Sequence, residues 1–119
     1  MKIQVKNISK KFNSLIAVND ISFEIESNKT LGLLGPNGCG KTTSIGMMLG
    51  LITPTSGNIL INGMEFVPKN RIKLLSLMNF ASPYIELPKK LTVRENLEVY
   101  ARLYGVKEVH HRTTEMIED

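Results

Sequence analysis

The chain has 119 residues, a formal net charge of +4 and one cysteine, so it fits a single domain with no internal disulfide. Its lysines and arginines are dispersed rather than clustered with aromatic residues, and this pattern argues against a nucleic-acid partner. We find no signal peptide and no run of about 18 apolar residues, which favours a cytoplasmic protein whose membrane role, if any, is exerted through a partner.

The first two predicted elements are half-buried strands, because apolar and polar residues alternate over residues 2–12 and 17–26. In the second strand Ile21, Phe23 and Ile25 share one face. Turn-forming residues separate the two runs, so we expect a single antiparallel unit.

A different pattern follows in residues 30–35, TLGLLG, where apolar residues run on without alternation. Such a run predicts a strand buried on both faces, as in a parallel sheet. After Gly40 the apolar residues Ile45, Met48 and Leu49 recur at helical spacing, which predicts a helix ending near Gly50.

The next segments predict a hairpin and a short helix. Residues 58–66 read as two strands joined by Asn62-Gly63, a pair suited to the positive φ angles of a type I′ turn. Residues 68–81 predict a short helix followed by a strand into Phe80. Two prolines make residues 82–90 a loop.

The last part of the chain predicts two helices. Thr92 and Glu95 have the spacing of a capping box, and Gly105 is a natural C-terminal stop for the first helix. Residues 106–119 form a polar helical pattern. His110 and His111 follow no apolar strand, and we interpret them as exposed helical side chains.

The residues that carry chemistry are Gly35 to Thr42, which fit the P-loop pattern G-x-x-x-x-G-K-[ST]. Glycines let backbone amides approach a phosphate, and the following helix directs its N-terminal dipole at the same anion. Lys41 is placed to reach the β- and γ-phosphates, Thr42 to bind Mg²⁺ and Thr43 to bond near the α-phosphate. The alternative, a turn that merely joins strand to helix, leaves a cation unexplained at a helix N-terminus.

Cys39 lies inside this loop. Its position beside a helix N-terminus and a lysine could make the thiol reactive. The interpretation we favour is a small residue that fits a tight loop.

The segment LLGPNGCGKTT, residues 33–43, closely resembles the Walker A segment of ABC-type ATP-binding subunits. The resemblance continues through residues 5–38, 48–66 and 91–105. It implies an α/β fold: a P-loop NTPase core with an N-terminal antiparallel β-subdomain, truncated at the start of the helical subdomain. Residues 1–119 would be the N-terminal part of one ATP-binding domain, with the β-subdomain and core over about 1–90 and the helical subdomain from about 91.

The resemblance also implies roles for individual residues toward ATP and Mg²⁺. Phe12 stands where the family stacks an aromatic ring on adenine; its alternative is an apolar residue at a strand end. Ser82 stands near the family's Q-loop glutamine and could offer Mg²⁺ a hydroxyl, although the loop could instead be mainly a coupling surface. The implied nucleotide-binding residues are Phe12, Gly35, Pro36, Asn37, Gly38, Cys39, Gly40, Lys41, Thr42 and Thr43.

The implied function is an ATP-binding subunit that couples ATP hydrolysis to transport, with the short loop 82–88 resembling exporter-type subunits. Its implied partners are a membrane-spanning subunit and a second ATP-binding subunit, at the inner face of the cell membrane. The family's signature motif, Walker B aspartate, catalytic glutamate and switch histidine are not found, so we expect no hydrolysis by this chain alone. The alternative is a non-catalytic nucleotide-binding or partner-binding fragment. A small-molecule kinase is a weaker candidate, because two strands precede the P-loop.

Overall fold

A computed structural model describes residues 1–82 and 86–118. The chain divides into two compact units, Met1–Asn79 and Phe80–Asp119. No helix within the described ranges is long and apolar enough to cross a membrane. The elements are β1 (Ile3–Phe12), β2 (Leu15–Ile25), α1 (Lys41–Met48), β3 (Ser56–Ile61), β4 (Met64–Glu65), a 3₁₀ turn (Pro68–Asn70), α2 (Arg71–Leu75), α3 (Val93–Leu103) and α4 (Val109–Glu118).

The sheet of the first unit has the order β2-β1-β3-β4, and every neighbouring pair is antiparallel. The predicted antiparallel pairing of the first two strands is therefore confirmed. In β2 the side chains of Ile21, Phe23 and Ile25 are half-buried, whereas Ser22 and Glu24 are exposed, as their alternation predicts.

A bulge interrupts the pairing of β1 with β2. Asn7 and Asp20 both have positive φ, 49° and 47°, a conformation that short polar side chains tolerate. The Asn7 side-chain amide donates to Asp20 Oδ1 at 3.0 Å, and the Asn7 backbone amide donates to Ser22 Oγ at 2.8 Å. The resulting shift in register explains why Val5 and Ile8, three residues apart, are both buried.

The core of this unit lies between the sheet, α1 and α2. The Asn62-Gly63 turn has positive φ at both residues, 50° and 77°, and pairs Ile61 with Met64, as the type I′ prediction required. Helix α1 ends at Met48, just before Gly50, also as predicted. The buried apolar residues are Val5, Ile8, Val18, Met47, Ile59, Ile61 and Leu74.

Two strand predictions were wrong. Residues 30–35 form no strand, and Leu34 is 96% exposed, because no other strand of the described chain runs beside them to share their backbone hydrogen bonds. The short helix within 68–81 is present as α2, but residues 76–82 form no strand. Met78 instead packs against the core and Phe80 is exposed.

The second unit contains the two predicted helices. The Thr92 backbone amide donates to Glu95 Oε2 at 2.7 Å, and the Glu95 amide donates to Thr92 Oγ1 at 3.2 Å, so the capping box is present. Gly105, with φ 67°, follows the end of α3. Of the predicted loop 82–90, residues 83, 84 and 85 lie outside the described residues, so its interpretation as a coupling surface stays a prediction.

Candidate functional site

The loop before α1 is shaped by its glycines. Gly38 and Gly40 have φ of 84° and 93°, values that other residues rarely adopt. Gly40 is the N-cap residue of α1, and no side chain caps this helix end. The first turn of α1 therefore offers backbone N–H groups that an external acceptor can use.

Gly40 also sets the distance between the loop and the sheet. A Cβ atom at this position would lie 2.4 Å from the Ala17 carbonyl oxygen and 3.0 Å from Val18 Cγ2. At Gly38, by contrast, a Cβ atom would meet nothing within 4 Å. The loop thus packs tightly against β2 at Gly40 and stays open at Gly38, where a ligand can approach the backbone.

Lys41 is folded back over this loop. Its Nζ donates to the carbonyl oxygen of Gly35 at 2.6 Å and to that of Pro36 at 2.7 Å, and it lies 3.7 Å from Cys39 Sγ. The first turn of α1 contains no acidic residue that could neutralise the ammonium. The Lys41 ammonium and the positive end of the α1 dipole therefore belong to the same loop–helix junction. This arrangement is suited to binding an anion.

Beside the loop lies a cleft of about 420 Å³ between it and β2. Thr42 is exposed, Thr43 is half-buried and Ser44 is buried. Sequence reasoning missed the contribution of β2 and of Ser44, because no local pattern indicates which strand will lie against the loop. The lining residues outside the loop itself are Ile16, Ala17, Val18, Asn19, Ile21, Leu33, Leu34 and Ser44.

From the loop itself, Gly38, Cys39, Gly40 and Lys41 line the cleft, and Phe12 is not among its lining residues. Phe12 ends β1, pairs with Leu15 across the hairpin and is 45% exposed. Ser82 belongs to the second unit. His110 and His111 are exposed on α4. Within residues 1–82 and 86–118, no cluster of three or more histidine, cysteine or acidic side chains could hold a metal.

Comparison with known proteins identifies the family. The family described as ABC transporter matches residues 18–119. The chain is 43% identical over 108 residues to ABC transporter A family member 4 of Dictyostelium discoideum, covering 86% of this chain and 7% of that protein. It is 38% identical over 104 residues to a Nod factor export ATP-binding protein I of Burkholderia lata, covering 87% and 34%. It is 40% identical over 99 residues to a xylose/arabinose import ATP-binding protein of Haloferax volcanii, covering 81% and 24%.

Solved structures agree with this match. An ATP-binding subunit of an ABC transporter superposes with a TM-score of 0.78 at 27% identity, covering 94% of this chain and 46% of that one. A dimeric bacterial ABC transporter cassette superposes at 0.76 with 24% identity, covering 98% and 54%, and shows the same fold. The chain spans about half of these structures and between 7% and 34% of the curated relatives named above. It belongs to the ABC transporter family, as a P-loop-bearing portion of an ATP-binding subunit with the predicted α/β fold.

Proposed function

We propose that residues 35–43 bind the triphosphate of Mg-ATP. The observation that carries this proposal is the Lys41 ammonium, held over the loop by the carbonyl oxygens of Gly35 and Pro36. Neutral carbonyls are weaker partners for an ammonium than anionic oxygens are. Lys41 would therefore exchange these contacts for phosphate oxygens, while the uncapped amides of α1 would bind the same group.

Within the loop, we propose that Thr42 contributes its hydroxyl to Mg²⁺. Its exposed side chain is adjacent to Lys41 in the first turn of α1, and Mg²⁺ prefers hard oxygen ligands shared with substrate phosphates. Thr43 would bond near the α-phosphate. Mg²⁺, when bound, would neutralise part of the phosphate charge. Ser82 is proposed as a further oxygen ligand of Mg²⁺.

We propose that Phe12 stacks on the adenine ring. Its aromatic surface is accessible, and it belongs to the same hairpin as the cleft-lining residues. Lys11 pairs with Ile16, a lining residue, and Phe12 pairs with Leu15, its neighbour. The accessible ring therefore lies one residue pair beyond the cleft.

At the level of the whole protein, we propose an ATPase subunit that powers transport across a membrane at its inner face. A membrane-spanning subunit and a second ATP-binding subunit would be its partners, and the dimeric cassette of like fold supports the second of these. Export is the proposed direction; the Burkholderia relative is named for export, whereas the Haloferax relative is named for import. We keep about residues 1–90 as β-subdomain and core and assign the helical subdomain from about residue 91.

The alternative remains a fragment that binds nucleotide or a partner without hydrolysis. The observation that favours it is the exposed segment 30–35, which precedes the P-loop with Leu34 96% exposed. An exposed apolar segment of this kind is more typical of a binding surface or of an unpaired strand than of the buried core of an ATPase.

Calorimetric unfolding with and without Mg-ATP tests the binding proposal. A ligand that binds only the folded state at 100 times its Kd adds about 2.7 kcal/mol of stability. We therefore expect Mg-ATP to raise the melting temperature of the wild type but not that of Lys41→Ala. The matched control is Lys29→Ala, which removes an exposed lysine outside residues 35–43 and should keep the response. An equal shift in all three proteins, or none in the wild type, would contradict the proposal.

A further inference from the structure

Lys10 contacts the side chain proposed above to stack on adenine. The two residues lie on the same strand, two positions apart, and Lys10 Nζ stands over the Phe12 ring, 5.0 Å from its centroid. A cation in this position is attracted by the negative face of an aromatic ring. One face of the ring is therefore covered by the lysine.

The Lys10 ammonium also has a hydrogen-bond partner outside β1. Lys10 Nζ donates to the carbonyl oxygen of Thr53 at 2.7 Å. The segment carrying that carbonyl is bonded to β1 at the residues flanking Lys10. The Thr55 amide donates to the Ser9 carbonyl at 2.8 Å, and the Lys11 amide donates to Thr55 Oγ1 at 3.0 Å. The lysine is thus held by a carbonyl whose position relative to β1 is set by backbone bonds.

We infer that Lys10 is a positioning residue for the base-binding ring: it holds one face of Phe12 so that the other face receives the base. This inference rests on the proposed function, because it assumes that Phe12 stacks on adenine. An exposed ring at a strand end otherwise samples several orientations, and ordering it on binding costs affinity. The lysine reduces that cost before the nucleotide arrives.

Different residues would hold the base and the phosphates. Lys10 acts on the ring, whereas residues 35–43 act on the triphosphate. Removing the Lys10 cation should therefore weaken ATP binding and leave the binding of tripolyphosphate, which has no base, unchanged. A purely structural role of Lys10 would affect both ligands alike.

The experiment is a calorimetric titration of the chain with Mg-ATP and, separately, with Mg-tripolyphosphate. The variants are Lys10→Met, which keeps an unbranched apolar side chain, and Lys10→Arg, which keeps a cation and a donor. The matched control is Lys11→Met, the same substitution and charge change at the next residue, whose side chain is exposed. An exposed cation–π contact is worth about 0.5–1 kcal/mol, so Lys10→Met should weaken ATP binding by roughly 2- to 5-fold.

The expected result is a lower preference for ATP over tripolyphosphate in Lys10→Met alone, with Lys10→Arg restoring it. The same preference in Lys10→Met as in the wild type would overturn the role of Lys10 and leave the phosphate site standing. Equal loss for both ligands would reduce Lys10 to a structural residue. If the wild type bound neither ligand, the proposed function itself would fail, and the inference with it.

Discussion

Two separate features of the structure favour glycine at position 40. Its φ of 93° suits glycine, and its missing Cβ leaves room for the Ala17 carbonyl. The P-loop pattern predicts a glycine at this position because of phosphate approach, yet the structure shows that close packing against β2 requires it as well. Gly38 has a similar φ but no close neighbour, so the two glycines make a matched pair.

We expect Gly40→Ala to destabilise the chain more than Gly38→Ala. A left-handed conformation costs an alanine about 1–2 kcal/mol, and this cost applies at both positions. Only at Gly40 would the new methyl group also overlap a backbone carbonyl, 2.4 Å away. Urea unfolding of the two variants measures the difference, and equal losses of unfolding free energy would show that the packing against β2 is unimportant.

For Lys41, the sequence predicts the kind of ligand but not the resting position of the side chain. Its place at a helix start, the wrong end of the dipole for a cation, predicts an anion partner from the sequence alone. The sequence does not indicate where the side chain rests without one. The structure places its ammonium on the carbonyl oxygens of Gly35 and Pro36, at 2.6 and 2.7 Å.

Among the elements, α3 is the one whose start is specified most completely by local chemistry. Thr92 and Glu95 satisfy each other's backbone amides, and these contacts require no distant residue. Local bonds of this kind are visible in a sequence, which is why the start and the end of α3 were both predicted.

We expect Thr92→Ala to destabilise the start of α3 by about 1 kcal/mol, the usual value of an N-cap. Hydrogen exchange of the Glu95 amide, which donates to Thr92 Oγ1, would quicken accordingly. Thr92→Ser keeps the hydroxyl and is the matched control. Unchanged exchange in Thr92→Ala would mean that packing rather than capping holds this turn.

The same box should respond to acid. The hydrogen bond from the Thr92 backbone amide, with that from its hydroxyl, lowers the pKa of Glu95 below its ordinary value of 4.5. A lowered pKa in the folded state means that the carboxylate stabilises the helix fully above pH 4.5. Protection of the first turn should therefore fall as the pH drops through the lowered pKa, and Glu95→Gln should remove this dependence.

The prediction of a buried strand over residues 30–35 was wrong. A continuous apolar run predicts a buried strand because such runs normally lie between two neighbours. Burial, however, is a property of what surrounds a segment, and the described chain places no strand beside this one. Leu34 is consequently 96% exposed.

At the scale of the whole molecule, the chain spans 46% of an ATP-binding subunit of the same fold. Phosphoryl transfer depends on groups that position water and neutralise charge. The 119 residues contain the P-loop pattern, whereas the family's Walker B aspartate and catalytic glutamate are not predicted among them. ATP binding and ATP hydrolysis by this chain can therefore be tested separately.

We expect the 119-residue chain, assayed alone, to bind Mg-ATP without turning it over. Released phosphate should not exceed that from Lys41→Ala, which serves as the blank for contaminating ATPases. Turnover that depends on Lys41 would contradict this expectation and would favour a complete ATPase within these residues.

Local sequence was enough to predict the strand alternation, the type I′ turn, the capped helix and the P-loop pattern, because each depends on residues a few positions apart. Tertiary structure decided what depends on distant residues. It brought Ala17 against Gly40, fixed Lys10 between Phe12 and Thr53, and left Leu34 exposed. The physical reason is range: backbone propensities and caps act within one turn, whereas burial and close approach depend on the whole fold.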